Sequence, residues 1–78
     1  MKEIPKFNQK ILQMLRIRQT SLNMSDESFA SYRRARFVSD EYLHSVEQGE
    51  EVGLFQMGLI AKVLGVWIDE ILDIKESC

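Results

Sequence analysis

An apolar residue followed by serine, aspartate and glutamate occurs twice in this 78-residue chain, at residues 24–27 and 38–41. A serine in this position can accept a hydrogen bond from a free amide of the first helical turn. The two acids suit the positive end of the helix dipole. The apolar residue before each serine can pack on another one turn into the helix. The pattern therefore predicts two short helices, almost back to back, that begin after Ser25 and Ser39.

Three further helices are predicted by apolar residues at helical spacing. The first follows Pro5, which suits a first helical turn. An amphipathic helix begins at Leu54 and is stopped by Gly65, and a last helix spans residues 67–74. The helix that follows Ser25 is expected to end near Arg36. No segment alternates with the period of two that a strand requires, so we expect an all-α fold of five helices.

The length and composition are those of one small globular domain spanning residues 1–78. Hydrophobic residues make up 45% of the chain and charged residues 28%, which is ordinary for a soluble protein. No apolar run is long enough to cross a bilayer, and the charged first ten residues are unlike a secretory signal. The one cysteine, Cys78, cannot form an internal disulfide, so a reducing cytoplasm is the expected location.

Charge is divided unevenly along the chain, although the formal net charge is only −2. Residues 1–36 carry eight basic and three acidic side chains, giving +5, whereas residues 37–78 carry two basic and nine acidic side chains, giving −7. Such a division bears on the choice of partner more than on the fold. A basic partner would suit the acidic half.

Three segments in the same order resemble the helix-turn-helix domain of the Cro and phage-repressor (XRE) family. They are MSDESFA at residues 24–30, VSDEYLHSVEQG at residues 38–49 and IAKVLGVWIDEIL at residues 60–72. The resemblance covers about residues 11–72. It implies a compact, lambda-repressor-like domain in which the helix after Ser39 is the recognition helix. It also implies that the two helices of the motif cross closely at Ala30.

The resemblance implies a DNA-binding transcriptional regulator, acting as a homodimer on a short palindromic operator. The side chains expected to face base edges lie on the recognition helix: Ser39, Asp40, Glu41, Tyr42, His44 and Ser45. The side chains expected to contact phosphate lie on the two preceding helices and their ends: Ser25, Arg33, Arg34, Arg36, Arg16 and Arg18. The expected dimer contacts lie on the last helix: Trp67, Ile71 and Ile74.

Two features of the recognition helix oppose this function. None of its base-facing candidates is Arg, Lys, Asn or Gln, the residue types that most often read guanine and adenine. Asp40 and Glu41 would bring negative charge towards the phosphates, and as first-turn residues they also serve the helix dipole. In addition, the interval from Ala30 to Val46 is longer than is usual in the family. The alternative is a regulator of the same fold, an anti-repressor or corepressor, that binds a protein through its acidic half and reads little or no DNA.

Enzymatic and cofactor functions are not expected. The chain has no Ser-His-Asp or Cys-His arrangement and no glycine-rich phosphate loop. His44 is the only histidine, and no second histidine or cysteine lies near it in sequence, so we expect no metal site. The basic residues do not flank an aromatic-rich amphipathic face, so a membrane-surface role is not expected either.

Overall fold

The computed structural model describes residues 3–78 and confirms the all-α prediction. Its five helices are α1 (Lys6–Ser21), α2 (Asp26–Arg34), α3 (Asp40–Glu47), α4 (Leu54–Leu64) and α5 (Ile68–Ser77). There is no strand within residues 3–78. The fold is therefore an all-α domain of five helices.

Both predicted serine caps are present. The Ser25 Oγ accepts a hydrogen bond from the amide of Ser28 at 3.1 Å, and the Ser39 Oγ accepts one from the amide of Tyr42 at 3.0 Å. A cap of this kind stabilises a helix by about 1 kcal/mol. Because each bond joins residues three positions apart, the local sequence is enough to specify where α2 and α3 begin.

The helix α2 ends at Arg34, two residues before the expected end. Phe37 adopts the left-handed region at φ 67°, which cannot continue a helix. The amide of Phe37 donates to the Arg34 carbonyl at 2.9 Å, and the amide of Val38 donates to the Arg33 carbonyl at 3.1 Å. The added residues of this interval thus form a tight turn and not another turn of helix.

The core is formed mainly by α1 and α4, and α2, α3 and α5 add one buried apolar side chain each: Phe29, Val46 and Ile71. The side chains with the least exposure are all β-branched: Ile11, Val38, Val46, Val52, Ile60, Val63 and Ile71. The most extensive helix contacts join α4 to α5, α1 to α3 and α1 to α4. The helix α3 is therefore held against α1, while α2 lies towards the edge of the domain.

The expected close crossing of α2 and α3 at Ala30 is not what the structure shows. Ala30 is only half-buried, and it lines an open cleft of about 580 Å³ between α1, α2 and α3. The floor of this cleft includes Leu12, Phe29 and Leu43. The longer connection after Ala30 allows α3 to pack on α1 and leaves the space beside the alanine open.

Candidate interaction surface around the α2–α3 turn

The side chains of α3 divide into an exposed group and a half-buried group. Four of the six predicted base-facing residues are exposed: Ser39, Asp40, Glu41 and His44. The other two, Tyr42 and Ser45, are half-buried, and the Ser45 hydroxyl donates to the Tyr42 carbonyl at 2.8 Å. The N-terminal half of α3 is thus accessible to a partner, and its exposed charges are negative.

Tyr42 faces the edge of the core. Its hydroxyl oxygen is buried and has no hydrogen-bond partner among the described residues. This burial raises the pKa of the Tyr42 hydroxyl above its ordinary value, because the charged form would lose solvation. A tyrosine in this position covers the core and is not free to reach a base edge.

Asp40 accepts hydrogen bonds from both of the arginines that end α2. Its Oδ1 lies 2.7 Å from the Nη2 of Arg33, and its Oδ2 lies 2.8 Å from the Nη2 of Arg34. The Nε of Arg34 adds a second contact, 3.1 Å from Oδ1. Hydrogen bonds from Arg34 and Arg33 lower the pKa of the Asp40 carboxyl to about 2, because they stabilise its charged form.

We call this three-residue arrangement of Arg33, Arg34 and Asp40 the arginine clasp. Arg33 is 5% exposed, and its Nη1 also donates to the Val38 carbonyl at 2.7 Å. A buried guanidinium is costly unless its N–H groups donate hydrogen bonds. The Asp40 carboxylate and the Val38 carbonyl accept such bonds from Arg33. The clasp ties the end of α2 to the start of α3 across the turn.

The clasp changes the expected role of these arginines. Arg33 was expected to contact phosphate, but its side chain is buried in the turn and its guanidinium is bound to Asp40. Arg34 keeps 53% of its side chain exposed, yet it too is paired with the same carboxylate. Two guanidiniums share one carboxylate, so the clasp keeps one excess positive charge, but the guanidinium of each arginine already donates to Asp40.

The other predicted phosphate contacts are also largely engaged within the chain. The Nη1 of Arg36 donates to the Tyr32 carbonyl at 3.0 Å, and its guanidinium lies 3.5 Å from the centre of the Tyr32 ring. The Nε of Arg18 donates to the Val63 carbonyl at 3.2 Å. Ser25 uses its hydroxyl as the α2 cap, whereas Arg16 is exposed at the cleft between α1, α2 and α3.

An exposed surface surrounds the clasp, and we call it the turn surface. Its members are the exposed side chains on α2, on the turn and on the first residues of α3: Glu27, Arg34, Phe37, Ser39, Asp40 and Glu41. The last five line one shallow depression. The charge of Glu27 acts on Arg34 and, after the larger contributions of Asp40, raises its pKa. The turn surface therefore carries three carboxylates against one exposed guanidinium.

Phe37 is the largest apolar group on the turn surface. Its side chain is 77% exposed, and its backbone adopts φ 67°, a conformation that bulky residues seldom take. The turn on either side of it is fixed by the clasp. The backbone that carries this exposed aromatic ring is thus held in one conformation at a cost in strain, which is typical of a contact residue.

Neither Phe37 nor the pairing role of Asp40 was predicted from the sequence. Asp40 was expected to face a base edge or to serve the helix dipole. The signal that could have revealed the clasp is the run of arginines before a lengthened turn with an aspartate at the start of the next helix. A pairing across that turn depends on its backbone conformation, which the sequence pattern did not specify.

The three predicted dimer contacts do not form one exposed group. Trp67 is 80% exposed, and Ile74 is half-buried. Ile71, however, is fully buried in the core between α5 and its neighbours. Ile71 therefore cannot contact a second copy, and only Trp67 offers a large accessible apolar surface at the start of α5.

The fold and this site define a small all-α domain with an acidic, aromatic surface on a helix-to-helix turn. Comparison with family models, with curated proteins and with solved structures gives no match for this chain. Residues 3–78 contain no group of three or more metal-ligating side chains and no helix long and apolar enough to cross a membrane. The contacts, exposure and charge of the described residues are therefore the basis for assigning a function.

Proposed function

We propose that this chain is a cytoplasmic regulator of the helix-turn-helix type that acts by binding a protein through the turn surface. This is the anti-repressor or corepressor function that the sequence left open as an alternative to DNA binding. The observation that carries the proposal is the arginine clasp. A single carboxylate, Asp40, occupies the two arginines that would otherwise anchor α3 on phosphate.

Electrostatics oppose DNA binding by this surface. Neutralisation of phosphates by Lys and Arg supplies most non-specific affinity for DNA, with a salt slope of about −0.9 per contact. Beyond the clasp, Glu41 and Glu27 are exposed on the same surface, and Glu47 is exposed at the far end of α3. A duplex approaching the exposed side of α3 would meet carboxylates with no free guanidinium among them.

The apolar content of the turn surface supports a protein partner. Aromatic residues are enriched at the centres of protein interfaces, where a pocket on the partner can enclose the ring. The backbone at Phe37 is held by the clasp before the partner arrives, so binding costs little additional backbone entropy. Carboxylates around the ring favour a partner whose pocket is rimmed by Lys or Arg.

Direct DNA binding is the second candidate, and the geometry of two helix starts favours it. Ser25 and Ser39 begin successive helices joined by a short turn, and the N-terminal half of α3 is exposed, as a groove-reading helix requires. Arg16 is exposed and could contact phosphate. A homodimer on a palindromic operator would then be the active form.

Selection from random duplexes at low salt distinguishes the two candidates. The proposal predicts that no sequence is enriched, because the turn surface repels phosphate. Recovery of a palindrome, with a salt slope that flattens when Arg34 is replaced by Ala, would establish DNA binding and refute the proposal.

A two-hybrid screen against the source genome tests the protein-binding arm with matched variants. Phe37→Gly removes the ring and suits the left-handed backbone, so the fold is expected to survive. Ile17→Ser removes an apolar side chain that is 60% exposed on α1 and serves as the control. An interaction that is lost with Phe37→Gly and kept with Ile17→Ser would support binding through the turn surface. Interactions that Phe37→Gly does not weaken would count against it.

A further inference from the structure

A second exposed apolar group lies at the start of α4, outside the turn surface. Leu54 is 63% exposed and Phe55 is 74% exposed, and they are adjacent in the first turn of the helix. The loop before them carries two exposed carboxylates, Glu50 and Glu51. We call these four residues the loop patch.

The loop that carries the patch is held at both ends by side chains from distant helices. The Nδ2 of Asn8, which is 2% exposed, donates to the Val46 carbonyl at 3.0 Å and to the Glu50 carbonyl at 2.8 Å. On the other side, the Nζ of Lys75 donates to the Val52 carbonyl at 3.2 Å. Val52 itself is buried at 1% exposure, so it anchors the middle of the loop in the core.

These contacts fix the position of the patch before any partner binds. The Asn8 side chain, the buried Val52 and the Lys75 side chain already restrain this loop. The loop therefore loses little conformational freedom when a partner binds to the patch. Two large apolar side chains are therefore exposed to water on a rigid support. Folding alone does not require this exposure, because burial of either side chain would stabilise the domain.

We infer that the loop patch docks a cationic amphipathic segment of a partner protein, an inference that rests on the proposed protein-binding function. Leu54 and Phe55 would contact the apolar face of that segment, and Glu50 and Glu51 would pair with Lys or Arg beside it. Lys75 is half-buried and directed at the Val52 carbonyl and the Phe7 ring, and within residues 3–78 no ion pair joins Glu50 or Glu51 to a cation.

A second copy of this chain does not fit the patch. A symmetric dimer through this patch would place four carboxylates, Glu50 and Glu51 of each copy, in one interface, and the patch offers no Lys or Arg to pair with them. Like charges placed together in an interface cost several kcal/mol. A duplex is disfavoured for the same reason, because the two carboxylates would meet phosphates. A cationic amphipathic segment is complementary to the patch, because its cations can pair with the two carboxylates and its apolar face can cover Leu54 and Phe55.

The test uses the full chain and a synthetic peptide of leucine and lysine, with the leucines at helical i, i+3, i+4, i+7 spacing. Amide NMR shifts locate the binding site, and a titration gives the Kd. We expect shifts within residues 50–59. We also expect Phe55→Ser to weaken binding about tenfold or more, and Glu50→Gln with Glu51→Gln to weaken it about fivefold at low salt.

Three controls accompany this titration. Ile17→Ser, which removes an exposed apolar side chain on α1, is expected to leave the Kd unchanged. A leucine–glutamate peptide of the same pattern is expected not to bind. Because Phe55 is mostly exposed, Phe55→Ser is expected to unfold at the same denaturant concentration as the parent chain.

Each other outcome overturns the inference in a recognisable way. Shifts confined to residues 27–41, with no effect of Phe55→Ser, would leave protein binding in place but remove the loop patch. Self-association in sedimentation that Phe55→Ser abolishes would make a second copy the occupant. Failure of the peptide to bind, with shifts produced by a random duplex, would overturn both this inference and the proposed function.

Discussion

At the scale of single residues, one carboxylate determines what the start of α3 can bind. Asp40 lies in the first turn of α3, where any acid would suit the helix dipole. The turn before it directs two guanidiniums onto that carboxylate, and one of them belongs to the buried Arg33. The same side chain therefore stabilises the turn and neutralises one of the two positive charges beside it.

Arg33 is predicted to contribute far more to stability than Arg34. Arg33→Met keeps the volume of the buried side chain but leaves the Val38 carbonyl without its donor and Asp40 with one partner fewer. Lost hydrogen bonds of a charged, buried group cost about 1–3 kcal/mol. We expect Arg33→Met to lower the free energy of unfolding in urea by this amount.

Arg34→Met is the matched control, because Arg34 makes its contacts to Asp40 from the surface. The change in the free energy of unfolding is expected to be much smaller than for Arg33→Met. Equal costs for the two variants would contradict the distinction between a buried and an exposed member of the clasp.

At the scale of helices, the starts of α2 and α3 could be predicted and their crossing could not. A serine cap is a contact between residues three positions apart, so residues 25–28 and 39–42 contain what it needs. The crossing depends on the length and backbone of the intervening turn. Phe37 in the left-handed region ends α2 early, and α3 packs on α1 beside an open cleft.

In the candidate site, too, the features set by local sequence could be predicted and those set by the turn could not. The exposure of Asp40, Glu41 and His44 agrees with the prediction that the start of α3 faces outward. The pairing of Asp40 with Arg33 was not predicted, because it requires the turn to bring side chains seven positions apart into contact.

Two glycines on neighbouring elements should respond oppositely to alanine. Gly49, after α3, has φ 86°, and an added Cβ would lie 3.2 Å from the Cδ of Pro5. Gly58, inside α4, would place its Cβ in ordinary contact, 3.8 Å from the Cδ1 of Ile68. Gly49→Ala is expected to destabilise by about 1–2 kcal/mol, because alanine is strained in the left-handed region.

Gly58→Ala is expected to stabilise the domain by about 0.5–1 kcal/mol, because alanine is the better helix former and no close contact opposes it. Thermal unfolding of the two variants beside the parent chain checks both signs. A stabilised Gly49→Ala would show that the loop after α3 does not take the left-handed turn.

At the scale of the whole molecule, folding makes the surface more acidic than the formal charges suggest. All five arginines lie in the first half of the sequence, but the guanidinium groups of Arg18, Arg33, Arg34 and Arg36 are bound within the chain. Every acidic side chain in residues 3–78 belongs to an exposed residue. Most arginines therefore make contacts within the domain, whereas the carboxylates remain accessible to partners.

Trp67 is predicted to be the main apolar contact of a homodimer. Its ring is 80% exposed at the start of α5, and tryptophan is the residue type most enriched at interface centres. Trp67→Asp is expected to shift the sedimentation profile towards monomer, whereas Ile17→Asp on α1 is expected to leave it unchanged. An unaltered profile for Trp67→Asp, with the fold intact, would place any dimer contact elsewhere.

The pKa of the Asp40 carboxyl tests the arginine clasp most directly. A carbon-detected NMR titration is predicted to give a value of about 2, below the ordinary 3.8. Because the folded-state pKa is lowered, the stability that this group contributes is fully present above about pH 3.8 and is lost as the pH falls through about 2. A measured pKa near 3.8 would show that Arg33 and Arg34 do not hold the carboxylate, and would leave the exposed Arg34 free to contact phosphate.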